Sequence, residues 1–147
     1  METIWHPSVT LELLRESCRG TAAENLGIQL TELGADFLTG TMPVDQRTCQ
    51  PMKLLHGGAS VALAETLGSL AANAAGKAAD RVYVCQEINA NHLRPARVGE
   101  TVTGTARPFH VGKTSQVWGI EILNERGQRV CIARITMAAV PRLKSPA

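Results

Sequence analysis

Glu65 and Ser69 stand four residues apart in a stretch, Leu54 to Gly76, that is otherwise dominated by small and apolar side chains. That spacing puts a carboxylate and a hydroxyl on one face of a helix, one turn from each other, with Val61 and Ala62 on nearly the same stripe a turn earlier. At the head of the stretch come His56, Gly57 and Gly58. The first N–H groups of a helix have no partner inside it, and the helix dipole adds positive character there, so a helix that starts here offers a local site for negative charge. One element thus supplies an acid at its middle and a donor for a developing oxyanion at its end. Burial disfavours the charged form of a carboxylate, so Glu65 inside a fold stays ionised only where hydrogen bonds compensate.

Each of these residues also has a plainer reading. Glu65 can be a structural acid bonded to a neighbouring strand, or lie on a face that meets solvent. Glu65 is, however, the only Asp, Glu, Lys or Arg between Lys53 and Lys77, which argues against a solvated face. A histidine at a helix start commonly packs or caps, a glycine pair fits a tight turn as well as a ligand, and Gln50 sits in a loop where polar side chains are usually solvated. Their weight lies in their combination.

The elements that must position them follow from patterning. The central helix is expected from about His56-Gly57-Gly58 to Ala75, with Gly76 as its C′ stop. Upstream, "SVTLELLRES" predicts a short amphipathic helix with Ser8 as N-cap and Leu11, Leu13 and Leu14 on its apolar side. "LGIQLTELGADFLTGTMPV" predicts two strands about a turn at Gly34-Ala35-Asp36, and "DQRTCQP" a loop. After Asp80, "RVYVCQEINANHLRPA", "ETVTGTARPFH", "TSQVWGIEILNE" and "QRVCIARITMAAV" read as four strands in an antiparallel meander, with hairpin loops at His110–Lys113 and Asn124–Gly127. A helix apolar almost all round cannot sit on a sheet with its far side in water, so something must wrap it. A curved antiparallel sheet of five or six strands folded around the one long helix, an α+β hotdog fold, satisfies that demand. The whole of 1–147 is expected to be a single domain, with an N-terminal helical segment at 1–25 and a flexible tail at 141–147.

Composition narrows the function classes. A formal net charge of +2, with no dense Lys/Arg run, argues against a nucleic-acid partner and suits an anionic small ligand. Cys18, Cys49, Cys85 and Cys131 are far apart and show no zinc-site spacing, so they read as reduced thiols of a cytoplasmic protein with no metal. The first residues carry acids where a signal peptide needs basic groups, so export is not expected. The Leu54–Ala79 run has membrane length, but Gly, Ala and Ser dominate it and His56, Glu65 and Asn73 interrupt it, so no membrane span is expected.

The string Gln50-Pro51-x-x-Leu54-Leu55-His56-Gly57-Gly58-Ala59-Ser60, followed by Leu63-Ala64-Glu65-Thr66-Leu67-Gly68-Ser69, closely resembles the hotdog acyl-CoA thioesterases. The likeness is strongest to the Arthrobacter-type 4-hydroxybenzoyl-CoA thioesterase branch, which includes the enterobactin proofreading and dihydroxynaphthoyl-CoA thioesterases. "MPVDQRTCQP", "EINANHLRPA" and "PFHVGKTSQVWGIEILNERGQR" extend it over most of the chain from about Leu26 to Ala139. The resemblance implies hydrolysis of an aryl- or medium-chain acyl-CoA at a homodimer interface, often within a tetramer of paired dimers. It implies that Glu65 attacks the thioester carbonyl or activates water, that the Gly57 N–H holds the carbonyl oxygen, that Gln50 and His56 orient the thioester, and that Ser69 positions the hydrolytic water. His92, Arg94, His110, Gly112, Lys113 and Ser115 match positions along which the nucleotide end of coenzyme A lies.

Coenzyme A thiolate is a good leaving group, so neither a strong general acid nor a Ser/His/Asp triad is demanded. No cofactor is expected beyond the coenzyme A of the substrate, which an acyl-carrier protein could replace. After Ser69 the chain departs from its look-alikes: "LAANAAG" brings small Ala71 and Ala72 and a polar Asn73 to the expected acyl pocket. Two alternatives stand beside the hydrolase. One is a non-catalytic acyl-CoA-binding module, which has no reason to keep Glu65 and Ser69 one turn apart. The other is a hotdog dehydratase, whose histidine sits in a different, H-F-P-G-like setting.

Overall fold

The computed structural model describes residues 3–76 and 78–143. Helix α1 (Leu11–Ser17) is capped by Thr10, whose hydroxyl accepts the Leu13 N–H at 3.2 Å. Ser8, the cap expected from sequence, instead places its hydroxyl 2.7 Å from Nδ1 of His6. Leu11 and Leu14 pack on the core while Leu13 is exposed, so the apolar stripe is narrower than the three leucines imply. A further short helix, α2 (Ala22–Asn25), follows. Strands β1 (Gln29–Leu33) and β2 (Leu38–Pro43) form the expected hairpin.

Helix α3 (Gly57–Ala75) has the expected bounds. Gly76 ends it, but at φ −66° and not in the left-handed region of a C′ glycine. Glycine is needed there for space, because a Cβ would come 2.8 Å from the Tyr83 ring. Strands β3 (Arg81–His92), β4 (Thr101–Val111), β5 (Ser115–Leu123) and β6 (Arg129–Pro141) complete the chain of elements. Pro141, placed by sequence in the tail, closes β6, and the tail residues 144–147 lie outside the described residues.

The six strands make one antiparallel sheet in the order β1-β2-β4-β5-β6-β3. The four-strand meander is therefore corrected: only β4, β5 and β6 follow one another in space, and β3 pairs with β6 from Arg81↔Pro141 to His92↔Cys131. The link from β3 to β4 has to pass the start of α3, and it is tied there. The Leu55 N–H donates to Ala96 O at 2.8 Å, and Leu54 bridges to Arg97. Alternation along the strands could show that β3 exists but not that its partner is the last strand in the sequence.

The sheet curls around α3. Leu63, Ala64, Leu67 and Ala71 are fully buried, as are Met42, Val102, Trp118 and Ile135 on the concave face. Gly104 on β4 admits this contact, since a Cβ there would come 2.7 Å from Leu67. Buried Gln116 donates to Ala72 O at 3.1 Å and accepts the Trp118 indole N–H at 2.8 Å, so two polar groups in the core are satisfied by one amide. The sheet does not wrap α3 completely: Val61, Ala62, Glu65, Thr66, Ser69 and Leu70 form a half-buried stripe. Among the described residues no helix is long and apolar enough to cross a membrane, and the four cysteines are free thiols.

Candidate active site

The start of α3 is organised by His56. Its N–H donates to Thr48 O at 2.8 Å, fixing the approach of the chain. Its Nδ1 accepts the Gly58 N–H at 2.8 Å, and its carbonyl accepts from Ala59 (2.9 Å) and Ser60 (3.1 Å). An Nδ1 that accepts an amide proton leaves the proton of the neutral ring on Nε2. Of the four N–H groups that a helix start leaves open, that of His56 goes to Thr48 O and those of Gly58 and Ala59 go to His56. The fourth, that of Gly57, has no partner among the described residues. His92, at the end of β3, lies against this glycine: a Cβ on Gly57 would come 2.9 Å from its Nε2. His56, Gly57 and His92 thus form one group.

Glu65 is half-buried within the single chain. Ser69 follows it by one turn, with Oγ 4.0 Å from Sδ of Met137, and Asn73 comes one turn later. Asn73 is not the polar pocket residue the sequence implied. Its amide donates to Tyr83 O (2.8 Å) and Ser69 O (2.9 Å), and its oxygen accepts the Tyr83 N–H (2.9 Å), so it clamps α3 to β3. Opposite Glu65 stands Cys85 of β3, a neighbour that sequence reading missed. Burial and the Glu65 carboxylate push the Cys85 thiol up to about 11. The apolar run Val82–Cys85 marked a strand but carried no signal of what its side chains face.

Gln50 lies in the loop before α3, where its side-chain oxygen accepts the Met52 N–H of its own turn. Glu65 and Gly57 are on one helix but not side by side. Eight residues separate them, which is about 12 Å along the axis, and the lean of a glutamate towards the helix start shortens this only in part. The residues matched to coenzyme A also divide. His92 stands by Gly57, and Arg94 donates to Arg129 O at 3.2 Å. His110, Gly112, Lys113 and Ser115 belong to the β4–β5 hairpin, which Tyr83 ties to β3 by donating its hydroxyl to Gly112 O (3.0 Å) and Lys113 O (3.2 Å). Gly112 and Lys113 line a cleft with Ala75, at the far end of the 19-residue helix and about 28 Å of axis from its start. A separate cleft on the outer face of the sheet, lined by Arg107, Phe109, Glu121 and Ile132, includes none of the candidate residues.

One long helix cradled by a curled six-stranded antiparallel sheet is the hotdog arrangement. The chain belongs to the thioesterase superfamily, whose profile matches residues 52–131. It is 48% identical over 137 residues to the proofreading thioesterase EntH of Cronobacter turicensis, covering 93% of this chain and 98% of that one. To the 1,4-dihydroxy-2-naphthoyl-CoA hydrolase of Escherichia coli it is 47% identical over 135 residues, covering 92% and 98%. A crystal structure of a thioesterase from Haemophilus influenzae superposes with a TM-score of 0.90 at 43% identity, covering 99% of this chain and 100% of that one. The protein is a thioester hydrolase of hotdog fold, and the binding-module and dehydratase alternatives fall away.

Proposed function

We propose that the protein hydrolyses an aryl- or medium-chain acyl-CoA to the free acid and coenzyme A in the cytoplasm, in a site shared by two subunits. The observation that carries this reading is the Gly57 N–H, left open while His56 occupies the three amides after it. Such a donor, fixed before substrate arrives, is what a thioester carbonyl needs as its oxygen gains charge, and losing one typically costs about 2.7–4 kcal/mol of barrier. Glu65 acts as nucleophile or as general base on water, with Ser69 one turn away to position that water.

An attacking carboxylate and an oxyanion donor that serve one carbonyl must lie within roughly 6 Å of each other. Within one chain they do not, and a second copy supplies the remedy. β3 is a sheet edge, and two copies paired antiparallel about a two-fold axis near Ile88 and Asn89 would set Cys85 opposite His92 of the partner subunit. Cys85 marks the place of Glu65, and His92 marks the place of Gly57. The same pairing covers the half-buried stripe of α3 and carries the β4–β5 hairpin of one copy towards the helix start of the other. Two such dimers would then form the tetramer.

The test is thiol release from a panel of aryl- and acyl-CoAs, with acyl-carrier-protein thioesters alongside. Wild type is expected to turn over at least one class, and Glu65→Gln to lower that rate by about 10²–10⁴-fold with little change in binding. Wild-type protein that binds these compounds yet releases no thiol above background would overturn the reading.

A further inference from the structure

The direction of the open Gly57 N–H is set by its own peptide unit. That unit is planar and trans, so the N–H points opposite to the carbonyl of His56. The carbonyl points into α3, where it accepts from Ala59 at 2.9 Å and Ser60 at 3.1 Å. The Gly57 N–H is therefore aimed out of the helix start, away from the helix body. Its aim then depends on the cap residue, which is extended at φ −69° and ψ 131°. Besides its carbonyl, two groups of His56 are held: its ring takes the Gly58 N–H, and its own N–H donates to Thr48 O at 2.8 Å.

Thr48 lies outside the named helices and strands, yet it is only 1% exposed. Its hydroxyl donates to Pro43 O, at the end of β2, at 2.7 Å and accepts the Asp45 N–H at 3.0 Å. Its own N–H donates to Asp45 O at 3.0 Å. Side chain and amide are thus both fixed, and the turn at residues 45–48 presents the Thr48 carbonyl in one direction. The chain just before the cap is tied separately, with Leu55 donating to Ala96 O and bridging to Cys49. Those bonds hold the approach; the bond from Thr48 holds the cap itself.

We infer that Thr48 is a positioning residue for the oxyanion donor: its buried hydroxyl anchors a turn whose carbonyl holds His56, and His56 in turn aims the Gly57 N–H. This rests on the reading of that N–H as the donor to the thioester oxygen. Such a donor acts mainly in the transition state, so misaiming it lowers kcat more than it raises KM. If the hydroxyl only closed the turn after β2, its loss would lower stability and leave the bound carbonyl untouched.

Three measurements test this. In thiol release, Thr48→Val, which keeps the shape and loses the hydroxyl, is expected to lower kcat about tenfold with KM changed less than about twofold, and Thr48→Ser to restore most of kcat. The second uses a stable phenacyl thioether of coenzyme A, bound at saturation, and follows the NMR resonance of its isotope-labelled carbonyl carbon. That resonance is expected to move downfield on binding to wild type, and Thr48→Val to lose about half of the displacement. The third is amide hydrogen exchange in wild type, expected to be slow at His56 and fast at Gly57 until the same thioether is bound. It needs no variant, so a Thr48→Val chain that fails to fold leaves the test standing. If Thr48→Val keeps the wild-type kcat, or loses it with the full downfield displacement, or if the His56 amide exchanges as fast as that of Gly57, the positioning role is wrong while the donor stands. If the carbonyl resonance does not move downfield on wild type, or binding does not slow exchange at Gly57, the reading of the donor itself is wrong.

Discussion

At the residue scale, His56 joins a capping role to the chemistry proposed for the amide it leaves over. A histidine at a helix start is ordinarily a cap, and this one is: its ring and carbonyl take the amides of Gly58, Ala59 and Ser60. By doing so it defines which amide is left over. Gly57→Ala keeps that amide but crowds the approach to it. Alanine is well tolerated at a first helical position, but its Cβ would meet the His92 ring at 2.9 Å. The expected result is a fall in kcat/KM of about 10–100-fold in thiol release, with a melting temperature close to wild type. An undiminished rate would remove Gly57 from the mechanism. The residue types of this site were legible because an acid among apolar neighbours and a glycine pair after a histidine stand out in the sequence. Directions were not legible. Gln50 is turned to its own loop and Asn73 to a strand backbone, and neither spacing nor composition reports where an amide side chain finds its partners.

The elements were read best where a local cap or breaker defined them, as with α3 between His56 and Gly76 and the β1–β2 hairpin about Gly34. They were read worst where long-range pairing decides. β3 was placed beside β4 because adjacent strands usually pair, yet its partner is β6, about fifty residues further along. The short helix α2 has four residues, too few for any periodicity to register. Gln116 is the element-scale counterpart: an isolated polar residue in an alternating strand that proves to join β5 to the last turn of α3. Gln116→Leu keeps the volume but strands the Trp118 indole N–H and the Ala72 carbonyl in the core. It is expected to cost about 1–3 kcal/mol in chemical denaturation. Stability equal to wild type would mean that water replaces the amide.

For the whole molecule, the question is whether one chain can act alone. On the proposed roles of Gly57 and Glu65, the 12 Å or so of helix between them calls for a second chain. Mixing two defective variants answers this without a structure. When Glu65→Gln and Gly57→Ala chains are co-refolded, half the dimers are mixed, and each mixed dimer of a shared-site enzyme has one site with both defects and one with neither. Activity should then recover to about a quarter of wild type. A site contained within each chain would stay impaired in every combination, and no recovery would appear. Sedimentation of the wild type should return a mass that is an even multiple of 15.7 kDa.

The pairing of β3 with β6 also sets a timetable. As the polypeptide leaves the ribosome, α3 and the strand that carries Cys85 and His92 appear together, but the backbone that this strand must bond to emerges only after the two intervening strands have been made. Until then β3 lacks its one neighbour in the sheet, and the proposed acid, Glu65, has no fixed wall beside it. The proposed site is therefore the last part of the protein to be assembled, and the first to be lost if β6 frays.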